Sequence, residues 1–337
     1  MIDEADVNHF RDSLRGDVLT PADEEYDTAR SVFNAMIDHR PALIARCSDR
    51  DDVAHCVRFA RDHDLLVSVR GGGHGVSGKS VADGGLMIDL AGMKGIRVDP
   101  DRQTARAGAG LRLGEFDRET QGFGLATTLG IVSNTGIAGL TLGGGIGWLN
   151  GRFGLACDNV LSVNVVTADG LFLRASAQEN ADLFWGVRGG GGNFGVITEF
   201  DYRLHPVDQV LGGMVIYPWD RAREALRFFY EFASGAPDEL STLGLIVTGP
   251  DGQPVVAVAL CYSGPIEKGD DVIAPLRSFG PPLADLTKPM SYVELQSMLD
   301  ESFQPGFHHY WKSSFLRQLE DEAVEVLVGT APPSPRR

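Results

Sequence analysis

A chain of 337 residues with 43% hydrophobic and 23% charged side chains is long enough for roughly two domains with substantial cores. Its formal net charge of −16 offers no basic face to neutralise phosphates, which argues against nucleic acid or an anionic membrane surface as a partner. Four cysteines (Cys47, Cys56, Cys157, Cys261) form no C-x-x-C pair, and neither a leader nor an apolar run of about 18 residues is visible, so a cytoplasmic, non-membrane protein with reduced thiols is expected.

In chain order, Thr20-Pro21-Ala22-Asp23 reads as a helix start, and Tyr26, Ala29, Phe33 and Met36 continue at helical spacing. A helix to about His39 is predicted, and residues 1–37 are read as an N-terminal helical segment. Ala42 to Ala45 reads as a strand, and Ser48 as the cap of a helix whose Val53, Cys56, Val57 and Ala60 share one face. The strand Leu66 to Val69 leads into a first glycine cluster, Arg70 to Gly78 (RGGGHGVSG). A strand Leu86 to Leu90 follows, then a hairpin of Ile96 to Val98 with Thr104 to Ala107, then a helical stretch Leu111 to Gln121. In the second cluster, Gly130 to Gly147, small residues recur too often for a stable strand or helix. Val160 to Val166 and Leu171 to Leu173 form a hairpin, Asn180 to Val187 a helix, and a third cluster, Gly189 to Gly195 (GGGGNFG), feeds the strand Val196 to Leu204.

Past His205-Pro206 the glycines thin out, which places a domain boundary near Pro206. The second domain is expected to be an antiparallel sheet with helices on one face. Its elements are a helix Arg221 to Phe232, strands Leu243 to Val247, Val255 to Leu260 and Tyr310 to Leu316, and a helix Glu320 to Val328, before a proline-rich tail from Ala331 to Arg337.

The glycine clusters bear the chemistry. Bare backbone is retained where N–H groups must approach a ligand closely, and successive N–H groups in such turns form a concavity suited to phosphate. Three such segments imply one extended ligand, with His74 held against it. Gly73 to Ser80 also satisfies the P-loop pattern G-x-x-x-x-G-K-[ST]. That mechanism needs a helix opening at Lys79-Ser80, and Asp83-Gly84-Gly85 stops one almost at once. Only five residues separate Ser80 from Leu86, too few for a crossover to a parallel strand. The same missing helix removes the G-x-G-x-x-G reading of Gly73, Gly75 and Gly78.

Taken together, RGGGHGVSG after a strand, LGIVSNTGIAGLTLGGGIGWLNGRFGLACDN, and RGGGGNFGVITEF before a proline resemble the FAD-linked oxidases of the vanillyl-alcohol oxidase superfamily, in particular the berberine bridge enzyme-like group. The resemblance implies an α+β protein: a two-subdomain PCMH-type FAD-binding domain (38–207) and a substrate domain (208–330). It implies that Arg70, Gly71, Gly72, Gly73, Gly75, Val76 and Ser77 cradle the FAD pyrophosphate and that His74 bonds covalently to the flavin 8α-methyl carbon, a role open to a neutral imidazole. From the second cluster Gly130, Asn134, Thr135, Gly136, Gly139, Leu140, Gly143, Gly144 and Gly147 join the cofactor site, and from the third Asn193, Gly195 and Val196. Relatives with a second covalent link carry a cysteine where this chain has Val132; Cys157 reads as a buried structural thiol, so a single attachment is expected.

The reaction implied is hydride transfer from a small-molecule alcohol, sugar or amine to flavin N5, with dioxygen as acceptor; Thr135 falls where oxygen access is set, and oxidase and dehydrogenase both stay open. No metal is implied. Tyr310 and Lys312, alternating on the expected strand, are the candidates for the base. Relatives carry a further C-terminal segment that supplies tyrosines or an asparagine, and this sequence shows none. The alternative reading is therefore a non-catalytic flavin-binding remnant, with a P-loop nucleotide hydrolase third.

Overall fold

The computed structural model describes residues 2–330, so the tail Ala331 to Arg337 lies outside the described residues. The chain divides into two compact units. The first comprises Met1–Gly147, Phe153–Pro206 and Leu299–Trp311; the second comprises Trp148–Arg152, Val207–Met298 and Lys312–Arg337.

The first unit is α+β with two main sheets and one two-stranded pair. Helix α1 (Glu4–Ser13) precedes β1 (Asp17–Leu19), α2 (Tyr26–Arg30), β2 (Leu43–Arg46), α3 (Arg50–Asp62), β3 (Val67–Arg70) and β4 (Leu86–Asp89). The sheet order is β1-β2-β4-β3, with β2, β4 and β3 parallel and β1 antiparallel at the edge. Helix α3 buries Val53, Cys56 and Ala60 of the stripe read from its periodicity, with Ala54 buried beside them and Val57 only partly buried. Its cap is Asp49 and not Ser48: the Asp49 carboxylate accepts from the backbone N–H of Asp51 at 2.9 Å and of Asp52 at 3.1 Å.

The helix expected from Thr20 to His39 is only one turn long. The Thr20 N–H and hydroxyl both donate to Asp23, which makes a turn, and α2 stops at Arg30. Beyond it, tertiary partners claim the backbone: the Phe33 N–H donates to the Gly73 carbonyl at 3.0 Å and the Ala35 N–H to the Phe307 carbonyl at 2.9 Å. A helix there would forfeit both bonds.

The second sheet follows from β5 (Ile96–Asp99) and β6 (Thr104–Gly108), then α4 (Leu113–Gln121), β7 (Leu125–Ala126), α5 (Ile137–Leu142), α6 (Asn150–Phe153, all but its last residue counted with the second unit), β8 (Val160–Val166), β9 (Phe172–Ser176), α7 (Ala181–Val187), β10 (Val196–Arg203) and β11 (His205–Pro206). Its order, β5-β6-β10-β8-β9, is antiparallel throughout. Ala105, Ala107, Val163, Val165, Phe200 and Tyr202 are buried in one core with α3, β2 and β4. The second glycine cluster is not wholly irregular as expected. Ile137, Ala138 and Thr141 bury one side of the short helix α5, and Gly143 ends it.

The second unit is an antiparallel sheet. Strands β12 (Gln209–Pro218), β13 (Leu240–Thr248), β14 (Pro254–Tyr262), β15 (Ala284–Asp285) and β16 (Lys288–Ser291) alternate with α8 (Ala222–Ser234), α9 (Gly269–Ser278), α10 (Tyr292–Gln296) and α11 (Asp321–Gly329). One face of β12 and β14 (Leu211, Val215, Tyr217, Val256, Val258, Leu260) packs under Leu226 of α8, Ile273 and Leu276 of α9 and Val324 of α11. The strand expected over Tyr310 to Leu316 is absent; that stretch is irregular. No helix among the described residues is long and apolar enough to cross a membrane.

Candidate functional site

Strand β3 ends at Arg70, which pairs in register with Asp89 at the end of β4, so the two side chains share a face. The Arg70 guanidinium donates through Nε to Asp89 at 3.0 Å and through a second nitrogen to the other carboxylate oxygen, while its remaining nitrogen reaches the Ala29 and Ser31 carbonyls. This charge is therefore committed inside the protein and is not free to meet a phosphate. The loop 71–85 itself makes the parallel crossover from β3 to β4, so the length objection to a parallel pair does not hold. No helix opens at Lys79-Ser80, and the P-loop reading fails on that ground.

The loop backbone lies against the second glycine cluster. A Cβ on Gly72 would sit 2.3 Å from the Gly136 nitrogen, and one on Gly136 would sit 2.3 Å from the Gly72 nitrogen. Two cavities lie beside this crossing, with Gly71 in both walls. One, of about 280 Å³, is lined by Arg70, Gly71, Gly72, Gly73, His74, Arg112 and Asn134 with Phe33 and Pro305. The other, of about 580 Å³, gathers all three clusters: Gly71 from the first, Gly139 and Gly143 from the second, and Gly189 to Asn193, Gly195 and Val196 from the third. No carboxylate lines either cavity.

Not every expected cofactor residue reaches these walls. Gly130 is packed between Leu113 and Leu140, and Gly147 lies against the Leu129 carbonyl. Gly136, Leu140, Gly144, Thr135, Gly75, Val76 and Ser77 also lie outside both linings, although Gly136 stands at the crossing, the Val76 carbonyl anchors Asn34 and the Thr135 carbonyl accepts from Leu113. Val132 and Cys157 are buried, and burial pushes the Cys157 thiol up in pKa.

His74 is half-buried. Its ring stacks on Phe33 at 3.9 Å between centroids, and Phe33 stacks on His309 at 4.2 Å, with Trp311 tilted beside the group. Burial lowers the His74 pKa below the ordinary imidazole value; the Asn134 side chain pulls the other way, and the charges of His309 and Arg112 add to the lowering. Burial thus favours the uncharged ring. Its Nε2 is screened from solvent and has no hydrogen-bond partner among the described residues.

The segment 299–311 covers this loop, a feature absent from the sequence reading. Asp300 accepts from the Ser133 N–H at 2.8 Å and from its hydroxyl at 2.5 Å. Asn34 donates to the His309 carbonyl at 3.0 Å and accepts from the His309 N–H at 2.9 Å, mimicking a peptide partner. Tyr310 closes the segment, 77% exposed, in the first unit, whereas Lys312 belongs to the second. Without a strand, the alternation that would set these two on one face does not exist. Arg112 was also missed, although a signal was present: it occupies the N-cap of α4, where Ser, Thr, Asp or Asn is the usual choice.

Residues 41–176 match the family of FAD binding domains. An FAD-linked oxidoreductase of Dictyostelium discoideum is 36% identical over 326 residues, covering 96% of this chain and 71% of that protein. The chain belongs to the FAD-linked oxidoreductases. The (R)-6-hydroxynicotine oxidase of Paenarthrobacter nicotinovorans is 34% identical, covering 94% of this chain and 70% of its own length. The crystal structure of 6-hydroxy-D-nicotine oxidase from Arthrobacter nicotinovorans superposes with a TM-score of 0.82 at 34% identity, covering 87% of this chain and 66% of that one. This FAD-linked oxidoreductase thus has the PCMH-type FAD-binding fold of the berberine bridge enzyme-like oxidases, and FAD is its cofactor. Its residues fit the group: a Gly72–Gly136 crossing where no Cβ can stand, cavity walls rich in glycine and without carboxylates, and a buried imidazole nitrogen with no partner among the described residues.

Proposed function

We propose that His74 carries FAD through a covalent bond to the flavin 8α carbon, and that the protein oxidises a C–H next to oxygen or nitrogen in a small alcohol, sugar or amine, with dioxygen as electron acceptor. The observation that carries the attachment is the state of His74: its uncharged form favoured by burial, clamped between Phe33 and the loop, with Nε2 unpartnered at the cavity wall. FAD, when bound, supplies the hydride acceptor at N5. Phe33 and the segment 299–311 exclude water from the imidazole, and the glycine walls admit the dinucleotide backbone. A relative that acts on hydroxynicotine favours an amine among the substrate classes.

We assign residues 38–207 to the FAD-binding domain and 208–330 to the substrate domain. Tyr310 is the better-supported base, because it follows directly on His309 in the segment covering His74; Lys312 has no such support. The four free, buried cysteines support a cytoplasmic location.

Ultraviolet viewing of a denaturing gel, beside His74→Ala and followed by intact mass, tests the attachment. The expected result is one FAD of added mass and fluorescence that stays with the wild-type band and leaves the variant. Flavin that separates from the wild-type chain on denaturation overturns it. Bleaching of the flavin under anaerobic conditions by a panel of amines, alcohols and sugars tests turnover, and no bleaching by any of them favours the non-catalytic reading.

A further inference from the structure

The diphosphate of a dinucleotide is doubly anionic, and the cation at the mouth of the first glycine loop is not available to it. Arg70 is bound by Asp89 and by two backbone carbonyls, and Asp89 is buried. Releasing Arg70 would strand that carboxylate. Any side-chain counter-charge must therefore come from another cation. Lys79 lines the cavity of about 580 Å³ in which the three glycine clusters meet. Its ammonium has neither ion pair nor hydrogen bond among the described residues, and no carboxylate stands in the cavity wall.

A second and independent feature marks the same wall. Ser68, on β3, is only 4% exposed, lines the cavity, and its hydroxyl has no partner among the described residues; the Ser80 hydroxyl, also in the wall, is likewise screened and unpartnered. Buried hydroxyls without partners are uncommon and call for a ligand that supplies them. An ammonium, two hydroxyls and bare glycine N–H groups together suit phosphate oxygens.

We propose that Lys79, with Ser68 and Ser80, is the counter-charge site for the diphosphate of the bound dinucleotide, an assignment that rests on FAD occupying this cavity. The stretch Gly78-Lys79-Ser80 thus serves a phosphate as its P-loop spelling suggests, but from a loop wall and without the helix that hydrolysis needs.

The test uses the full chain carrying His74→Ala, in which flavin exchanges, freed of flavin and titrated calorimetrically with FAD, ADP and adenosine at two salt concentrations. Lys79→Ala in that background is expected to bind FAD and ADP about tenfold or more weakly, with a shallower dependence on salt and unchanged affinity for adenosine. Lys79→Arg is expected to recover most of the loss, which a merely structural role would not produce, and Ser68→Ala to show a smaller loss for the same two ligands. Undiminished FAD and ADP affinity in Lys79→Ala, an equal loss for adenosine, or no ADP binding by the His74→Ala chain overturns the proposal. Failure of the covalent reading is seen elsewhere, as flavin that leaves the wild-type chain on denaturation. In that event the same Lys79 titration in the wild-type background decides the matter.

Discussion

Gly72→Ala isolates the contact on which the cofactor cradle depends. An added Cβ would lie 2.3 Å from the Gly136 nitrogen and 2.6 Å from its Cα, both backbone atoms that no side-chain rotation can move. Restoring an ordinary contact requires the two glycine strands to separate by roughly 1 Å, and overpacking of this kind costs about 1–3 kcal/mol. Gly71, next to the crossing, lines both cavities, so the displacement reaches each of them. The matched control is Gly75→Ala, whose Cβ meets nothing within 4 Å and whose backbone is not in the left-handed region. Urea unfolding and the flavin-to-protein absorbance ratio of the purified proteins are the assays. Gly72→Ala is expected to lose about 1–3 kcal/mol and most of its flavin, and Gly75→Ala to resemble wild type. Because one separation relieves both clashes, Gly72→Ala with Gly136→Ala should cost clearly less than the sum of the single changes. Equal stability and flavin content in Gly72→Ala and Gly75→Ala would refute the reasoning.

Two further predictions concern buried charge. Asp89→Asn leaves the Arg70 guanidinium without its carboxylate at the end of β3 and should cost about 3–5 kcal/mol, read as a shifted urea midpoint with an unchanged slope. Asp117 on α4 is wholly buried, neither of its oxygens has a partner among the described residues, and burial raises its pKa well above the ordinary carboxylate value. A raised carboxyl makes the folded state bind more protons than the unfolded one, so stability falls as pH rises above about 3.9. Asp117→Asn should therefore match wild type near pH 4 and exceed it at pH 7, and urea midpoints that stay equal at both pH values would show the carboxyl to be solvated.

Much of the fold was legible because its signals are local. The stripe Val53, Cys56 and Ala60 of α3, the alternation along β10, the apolar run of β14 and the turn in the β5–β6 hairpin each follow from the period of a helix or a strand, from side-chain burial and from turn chemistry. The glycine clusters were equally plain, since a demand for bare backbone is written in composition and needs no knowledge of what stands opposite. Their convergence on one cavity was an inference from number alone, and the structure supplies the crossing of Gly72 with Gly136 that makes it physical.

What the local pattern could not express are the places where distant backbone outbids near neighbours. Phe33 and Met36 continue a helical period, yet Phe33 donates to Gly73 and Ala35 to Phe307, and the helix ends early because those bonds and the stack on His74 replace it. The segment 299–311 carries alternation that reads as a strand around Tyr310, but its hydrogen bonds go to Asn34 and Ser133, more than 160 residues away in sequence. The commitment of Arg70 to Asp89, and with it the freedom of Lys79, is decided by strand register, because only the parallel pairing of β3 with β4 brings those two termini side by side. Sequence alone determined the elements whose signals are local, the glycine loops and the histidine set among them. Tertiary structure decided which of the charges and rings around that histidine are already engaged and which are left to meet a ligand, because that depends on partners brought together only by folding.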